Sequence, residues 1–181
     1  MNEITLPLTD EKIKGLRAGE MYLISGEIYT GRDEAHKRLH EMILTGEDLP
    51  FDIRGKLIFY AGPCPAKPGE PIGSIGPTTS ARMDAYSPLL IRRGLKAMLG
   101  KGYRSKAVAD AIAEQGGVYF VAIGGAAALM ARRVKSSEVV AFPELGTEAV
   151  RRLEVEKLPV IVAIDAAGRN YYEEGTELYR E

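Results

Sequence analysis

The chain has 181 residues, 45% hydrophobic and 27% charged, with 24 basic against 25 acidic side chains. That is room for one full domain, residues 1–181, and it excludes a chain disordered by composition. The balanced charge lacks the basic excess that nucleic acid requires, and no apolar run is long enough to cross a membrane.

The N-terminus, MNEITLPLTDEKIKG, has no basic segment followed by an apolar run, so no signal peptide is expected and the cytoplasm is the expected location. Alternating apolar residues in Met21–Tyr29 predict a strand, and Asp33 offers an N-cap for a helix carrying Ala35, Leu39, Met42 and Ile43 on one face. Arg32 falls at that junction. Lys56–Ala61 reads as a buried strand, and Gly62–Pro77 is too rich in Gly and Pro for regular structure. A fixed loop of that length points to function.

Thr78, Thr79 and Ser80 supply caps for a helical start, and Ser87–Pro88 reads as a cap followed by a first-turn proline. Leu89–Leu99 is expected to continue as helix up to the turn Gly100–Lys101–Gly102. Ser105 caps a helix over Lys106–Gln115 that ends at Gly116–Gly117, and Val118–Ile123 is a further buried strand. Gly124–Gly125 then leads into Ala126–Val134. Strands are expected at Val139–Phe142, Val150–Val155 and Val160–Asp165, with a turn at Ala167–Arg169 and a last strand near Asn170–Tyr172.

A single cysteine, Cys64, can form neither an internal disulfide nor a thiolate cage for metal. His36 and His40 stand four apart on one helix face, which suits a metal, but HKRLH has no flanking glutamate base and a solvated or hydrogen-bonding role is the expected one. No metal site is therefore expected on this chain. Gly76–Asp84 (GPTTSARMD) combines hydroxyls, amides at a helix start and Arg82, so it can hold a carboxylate or be simply a capped helix with a surface arginine. Arg32 can fork a carboxylate at a strand end or stand solvated in a loop. Lys101 between two glycines can bring an ammonium into a site or mark a helix stop. Gly124–Gly125 follows a strand as a phosphate loop does, but neither G-x-G-x-x-G nor a Walker lysine is present.

Several segments in order resemble the β-type domain of class I fumarases and L(+)-tartrate dehydratases: TGRDEAHKRL at Thr30–Leu39, the loop at Gly62–Gly69, IGSIGPTTSARMD at Ile72–Asp84, MLGKGYRS at Met98–Ser105, and VYFVAIGGAAAL at Val118–Leu129. EVEKLPVIVAIDAAGRN resembles that family's closing strands. Cys64 departs from the small non-thiol residue expected there. The resemblance implies an α/β fold, a swivelling β/β/α domain with a mixed sheet and flanking helices. It also implies an α subunit that holds a [4Fe–4S] cluster through three cysteines, in an α₂β₂ assembly.

By the same resemblance Arg32, Arg82 and Lys101 correspond to the cationic clamp for a C4 dicarboxylate, and Thr78 to the threonine that acts as catalytic base. Such a hydroxyl needs a carboxylate partner, which the family supplies from the α-type domain. The expected reaction is reversible hydration, fumarate to (S)-malate, with tartrate to oxaloacetate as the alternative. A non-catalytic small-anion-binding module using the same three cations is the rival from another class.

Overall fold

The computed structural model describes residues 2–122 and 127–178. In chain order the elements are β1 (Asn2–Thr5), α1 (Asp10–Lys14), β2 (Met21–Thr30), α2 (Asp33–Thr45), β3 (Leu57–Phe59), a 3₁₀ turn (Ser80–Met83), α3 (Ser87–Arg92) and β4 (Ala97–Gly100). They continue with α4 (Lys106–Gln115), β5 (Val118–Val121), α5 (Ala127–Ala131), β6 (Val134–Ala141), a second 3₁₀ segment (Pro143–Glu148), β7 (Val150–Ile164) and α6 (Tyr171–Leu178).

The sheet is mixed and closes on itself. Its order is β1-β2-β3-β4-β5-β7-β6, with β2 also paired to β7, so β2, β3, β4, β5 and β7 form a ring and β1 and β6 attach outside it. Strands β1 to β5 run parallel, whereas β7 is antiparallel to β2, β5 and β6. Closure depends on the length of β7: Val155–Arg152 pairs with Gly26–Tyr29 of β2, and Leu158–Ile161 pairs with Met21–Ile24.

Strand alternation divides the core. Leu57, Phe59, Ala97, Leu99, Val118, Phe120, Val160 and Val162 point into one cluster with Ile24 and Ile28. Ile58, Tyr60, Met98 and Tyr119 point the other way, onto Ala35 and Leu39 of α2, Leu90 and Ile91 of α3, and Val108, Ala111 and Ile112 of α4. Both faces of β3, β4 and β5 are covered, which is why these strands read as continuous apolar runs.

The largest departure from the sequence reading is at Leu89–Leu99, which is not one helix. Helix α3 stops at Arg92, Gly94 turns the chain at φ +108, and Ala97–Gly100 becomes β4 in the middle of the ring. A four-residue apolar run fits a helix or a buried strand equally well until its neighbours are known. Val150–Val155 and Val160–Asp165 are likewise one strand. The intervening Glu156–Lys157 forms a bulge, with Lys157 at φ 53 and its amide donating to Ser25 Oγ at 2.9 Å.

The expected strand near Asn170–Tyr172 is a single bridge, Ile164 to Asn170, followed by helix α6. The N-cap of α2 is Arg32 rather than Asp33, and that of α3 is Tyr86 rather than Ser87. Strand β6 begins at Val134, five residues before the strand expected at Val139–Phe142. The Ser105 cap is present, its side chain accepting from the Val108 amide at 3.4 Å. Gly124–Gly125 lies outside the described residues.

Candidate active site

The loop Gly62–Pro77 has no regular structure, yet it is packed. Ile72 and Ile75 are buried in the core, the Cys64 amide donates to the Ser74 carbonyl at 2.9 Å, and the Gly73 amide donates to the Cys64 carbonyl at 3.2 Å. A side chain at Gly73 would overlap the Cys64 and Pro65 carbonyls, so glycine is required there. The loop carries the chain from the end of β3 back to that same end. There the Thr78 amide donates to the Tyr60 carbonyl at 2.7 Å.

The carboxyl ends of three adjacent parallel strands thus carry three of the four expected site residues. Arg32 follows β2, Thr78 is tied to the end of β3, and Lys101 follows β4. The outer ends of parallel strands are where open α/β sheets gather ligands. Arg82, in the 3₁₀ turn, reaches across to α2, its Nε donating to Asp33 Oδ1 at 2.8 Å and Nη2 to Asp33 Oδ2. That hydrogen bond and charge hold the Asp33 carboxyl below its usual range, and Asp33 in turn raises Arg82. Asp33 adjoins Arg32, so the pair joins the two arginines along one rim.

Each cation has a different setting. Arg32 packs its Cδ against Gly62 and sets Nε 3.2 Å from Glu148 Oε1, although that N–H has no aligned acceptor. Arg82 is forked to Asp33 through Nε and Nη2. The Lys101 side chain is exposed and makes no ion pair among the described residues. Thr78 is half-buried, whereas Thr79 is exposed.

The hydroxyls expected to cap a helix do something else. Thr79 holds the N-cap position of the 3₁₀ turn with no side-chain cap bond, and its backbone bridges to Lys101. Ser80 is fully buried: its amide donates to the Lys101 carbonyl at 2.9 Å, and its Oγ accepts from the Lys101 amide at 3.1 Å. Lys101 is therefore at a strand end locked to the Thr78–Arg82 segment, and the helix-stop expectation fails with the helix it was to end.

Beneath this edge lies a polar cluster that the sequence reading missed. Arg104, whose side chain is 0% exposed, sets Nε 2.7 Å from Asp84 Oδ1 and donates from Nη2 to Ser87 Oγ at 2.8 Å. Its guanidinium also lies over Tyr60 and Tyr119, 5.2 and 4.9 Å from their ring centroids. Burial opposes its charge, but the Tyr60 and Asp84 oxygens outweigh it and the arginine is raised. Nothing in GYRS distinguishes this arginine from a surface one, because its partners Asp84 and Ser87 become neighbours only through the fold.

His36 and His40 do not converge. His36 is fully buried, with Nδ1 2.8 Å from the Arg32 carbonyl and its ring edge-on to Tyr60, while His40 rests on Tyr86. The carbonyl can only accept, so Nδ1 carries the proton and Nε2 is left without a partner. Burial drives the imidazole down to about 4. Among the described residues no three His, Cys, Asp or Glu side chains gather around a point, and Cys64 is exposed and free. These residues do not fit a cubane cluster.

A family model described as Fumarase C-terminus matches residues 1–175. The chain belongs to that family. It is 43% identical over 173 residues to a putative L(+)-tartrate dehydratase subunit beta of Methanocaldococcus jannaschii, covering 92% of this chain and 89% of that protein. It is 44% identical over 153 residues to the anaerobic class I fumarate hydratase of Escherichia coli and 42% identical over 156 residues to fumarate hydratase 2 of Leishmania major. These matches cover 83% and 85% of this chain, which spans 28% of the length of each of those two relatives.

Proposed function

We propose that this chain is the β subunit of an iron–sulfur hydro-lyase that adds water reversibly to a C4 dicarboxylate, fumarate to (S)-malate. The observation that carries this reading is the strand-end rim bearing Arg32, Thr78, Arg82 and Lys101, in a chain of the fumarase C-terminal family. Three cations and a hydroxyl on one strand-end rim suit a substrate with two carboxylates beside the carbon that exchanges a proton.

In this reading Arg32, Arg82 and Lys101 hold the carboxylates, and Thr78 Oγ1 carries the proton to and from carbon. A carboxylate from the partner would take the hydroxyl's own proton as Oγ1 accepts the one from carbon, because a threonine hydroxyl alone is too weak a base. The reading assigns the [4Fe–4S] cluster to an α subunit. The cluster would supply a Lewis acid for the substrate carboxylate and hydroxyl. Residues 1–181 would act as one swivelling β/β/α domain within a cytoplasmic α₂β₂ assembly. No helix among the described residues is long and apolar enough to cross a membrane.

A second substrate, L(+)-tartrate going to oxaloacetate, is favoured by a separate observation. A relative 89% of whose own length the chain covers is named as a putative L(+)-tartrate dehydratase subunit beta. Turnover of fumarate, (S)-malate and L(+)-tartrate by the purified α/β complex tests both. Preferred turnover of fumarate upholds the first reading, preferred turnover of tartrate the second. Binding of these anions without turnover would point to a non-catalytic anion-binding module.

A further inference from the structure

Tyr119 Oη lies 2.8 Å from Ser80 Oγ and 2.9 Å from the Gly102 carbonyl oxygen, and Ser80 Oγ lies 3.1 Å from the Lys101 amide nitrogen. The protons on these groups can be counted. A carbonyl only accepts and an amide N–H only donates, whereas each hydroxyl has one proton to give. Tyr119 must therefore give its single proton to Gly102 and accept from Ser80, which in turn accepts from Lys101. The sequence of donation runs from the Lys101 amide to Ser80, from Ser80 to Tyr119, and from Tyr119 to the Gly102 carbonyl.

Every member of this chain is satisfied. Both hydroxyls are buried, Ser80 and Tyr119 each at 0% exposure, so the bonds strengthen one another away from water. The chain begins on the amide of Lys101 and ends on the carbonyl of the next residue. Its own carbonyl accepts from the Ser80 amide, so the Lys101 backbone is fixed on both sides while its ammonium stays exposed. Gly100 makes this possible, because a Cβ there would overlap Ser80 Oγ. Gly102, at φ +83, supplies the turn that aims the carbonyl back at Tyr119.

We infer that Ser80 and Tyr119 are positioning residues that hold the Lys101 ammonium in register with Thr78 for the substrate carboxylate. The inference rests on the proposed clamp role of Lys101. Neither hydroxyl touches substrate; both act through the backbone of Lys101.

The test uses Tyr119→Phe and Ser80→Ala, singly and together, with Lys101→Ala as reference. Hydrogen exchange at the Lys101 amide is read in the full chain, and KM and kcat are read in the α/β complex. Both single variants should speed Lys101 exchange, raise KM about five- to tenfold and leave kcat within about twofold. The double variant should cost no more than the worse single, since one broken link opens the whole chain. Tyr119→Phe keeps the ring over Arg104 and preserves the fold if Ser80→Ala does not.

Unchanged Lys101 exchange in Tyr119→Phe would overturn the inference, as would faster exchange with an unchanged KM while Lys101→Ala still raises KM. If exchange accelerates but Lys101→Ala itself leaves KM unchanged, the hydroxyl chain stands and the clamp role of Lys101 falls.

Discussion

Arg82 and Asp33 form a forked ion pair that ties the 3₁₀ turn to the first turn of α2, Nε donating to Oδ1 at 2.8 Å and Nη2 to Oδ2. The fork uses Nε and one Nη2 proton, leaving Nη1 and the outer Nη2 proton for a second carboxylate. Under the proposed clamp role, Asp33 would orient Arg82 rather than compete with a substrate. Arg82→Ala should lower kcat/KM about ten- to a hundredfold by removing a charge-assisted contact. Asp33→Asn, which keeps the shape and loses the charge, should cost only about three- to tenfold, nearly all in KM. An Asp33→Asn enzyme with a lowered KM would show that the carboxylate competes with substrate.

His36 makes stability depend on acidity. Its imidazole is driven down to about 4 from the ordinary 6.5 by burial, so the unfolded chain binds the proton at a pH where the folded one does not. Stability owed to the neutral ring is whole above pH 6.5, falls as pH drops toward 4, and levels off below that. The span corresponds to on the order of 3 kcal/mol for a fully buried group. Denaturant midpoints between pH 7 and 4 should show that slope, and His36→Asn should flatten it. A slope unchanged by His36→Asn would assign the acid sensitivity to other groups.

The buried Arg104–Asp84 pair should be costly to break from one side. Asp84→Ala leaves a guanidinium at 0% exposure with only neutral partners, and about 3–5 kcal/mol of stability should go with it. Asp84→Asn combined with Arg104→Met removes both charges together, and that double variant should recover much of the loss. Urea unfolding of the three proteins decides this. A double variant no more stable than Asp84→Ala would mean that the stacking of Arg104 on Tyr60 and Tyr119 matters more than its charge.

The features legible in the sequence are those set by local pattern. Continuous apolar runs marked β3 and β5, the Ser105 cap and Gly116 bounded α4, and the Gly/Pro run marked the packed loop before Thr78. What was not legible depends on long-range partners. Ala97–Gly100 becomes a strand because β3 and β5 lie on either side of it, and Ser80 turns inward because Gly100 leaves room for its oxygen. The four residues proposed for chemistry were singled out by motif resemblance, while the pairings of Arg104, Tyr119 and Asp33 were not visible there. Their partners are 20, 39 and 49 residues away along the chain, beyond the reach of any periodicity.

Thr78 and Thr79 give the sharpest test of the proposed chemistry, because they are adjacent and differ in setting. Thr78 is half-buried at the β3 end, held by its amide on Tyr60, whereas Thr79 is exposed and makes no side-chain cap bond. In the α/β complex Thr78→Ala should lower kcat at least a hundredfold, since general acid–base catalysis contributes about 10²–10⁴ in rate. KM and cluster content should barely change if, as proposed, the cations hold the substrate and the α subunit holds the cluster. Thr78→Ser keeps a hydroxyl at the same atom and should retain much of the activity. Thr79→Ala should leave kcat within a few-fold and, with no cap bond to lose, cost less than the roughly 1 kcal/mol of an N-cap. Steady-state kinetics and iron content of the three variants decide between the neighbours. A near-normal kcat in Thr78→Ala would remove the base assignment, and a large loss confined to Thr79→Ala would move it by one residue.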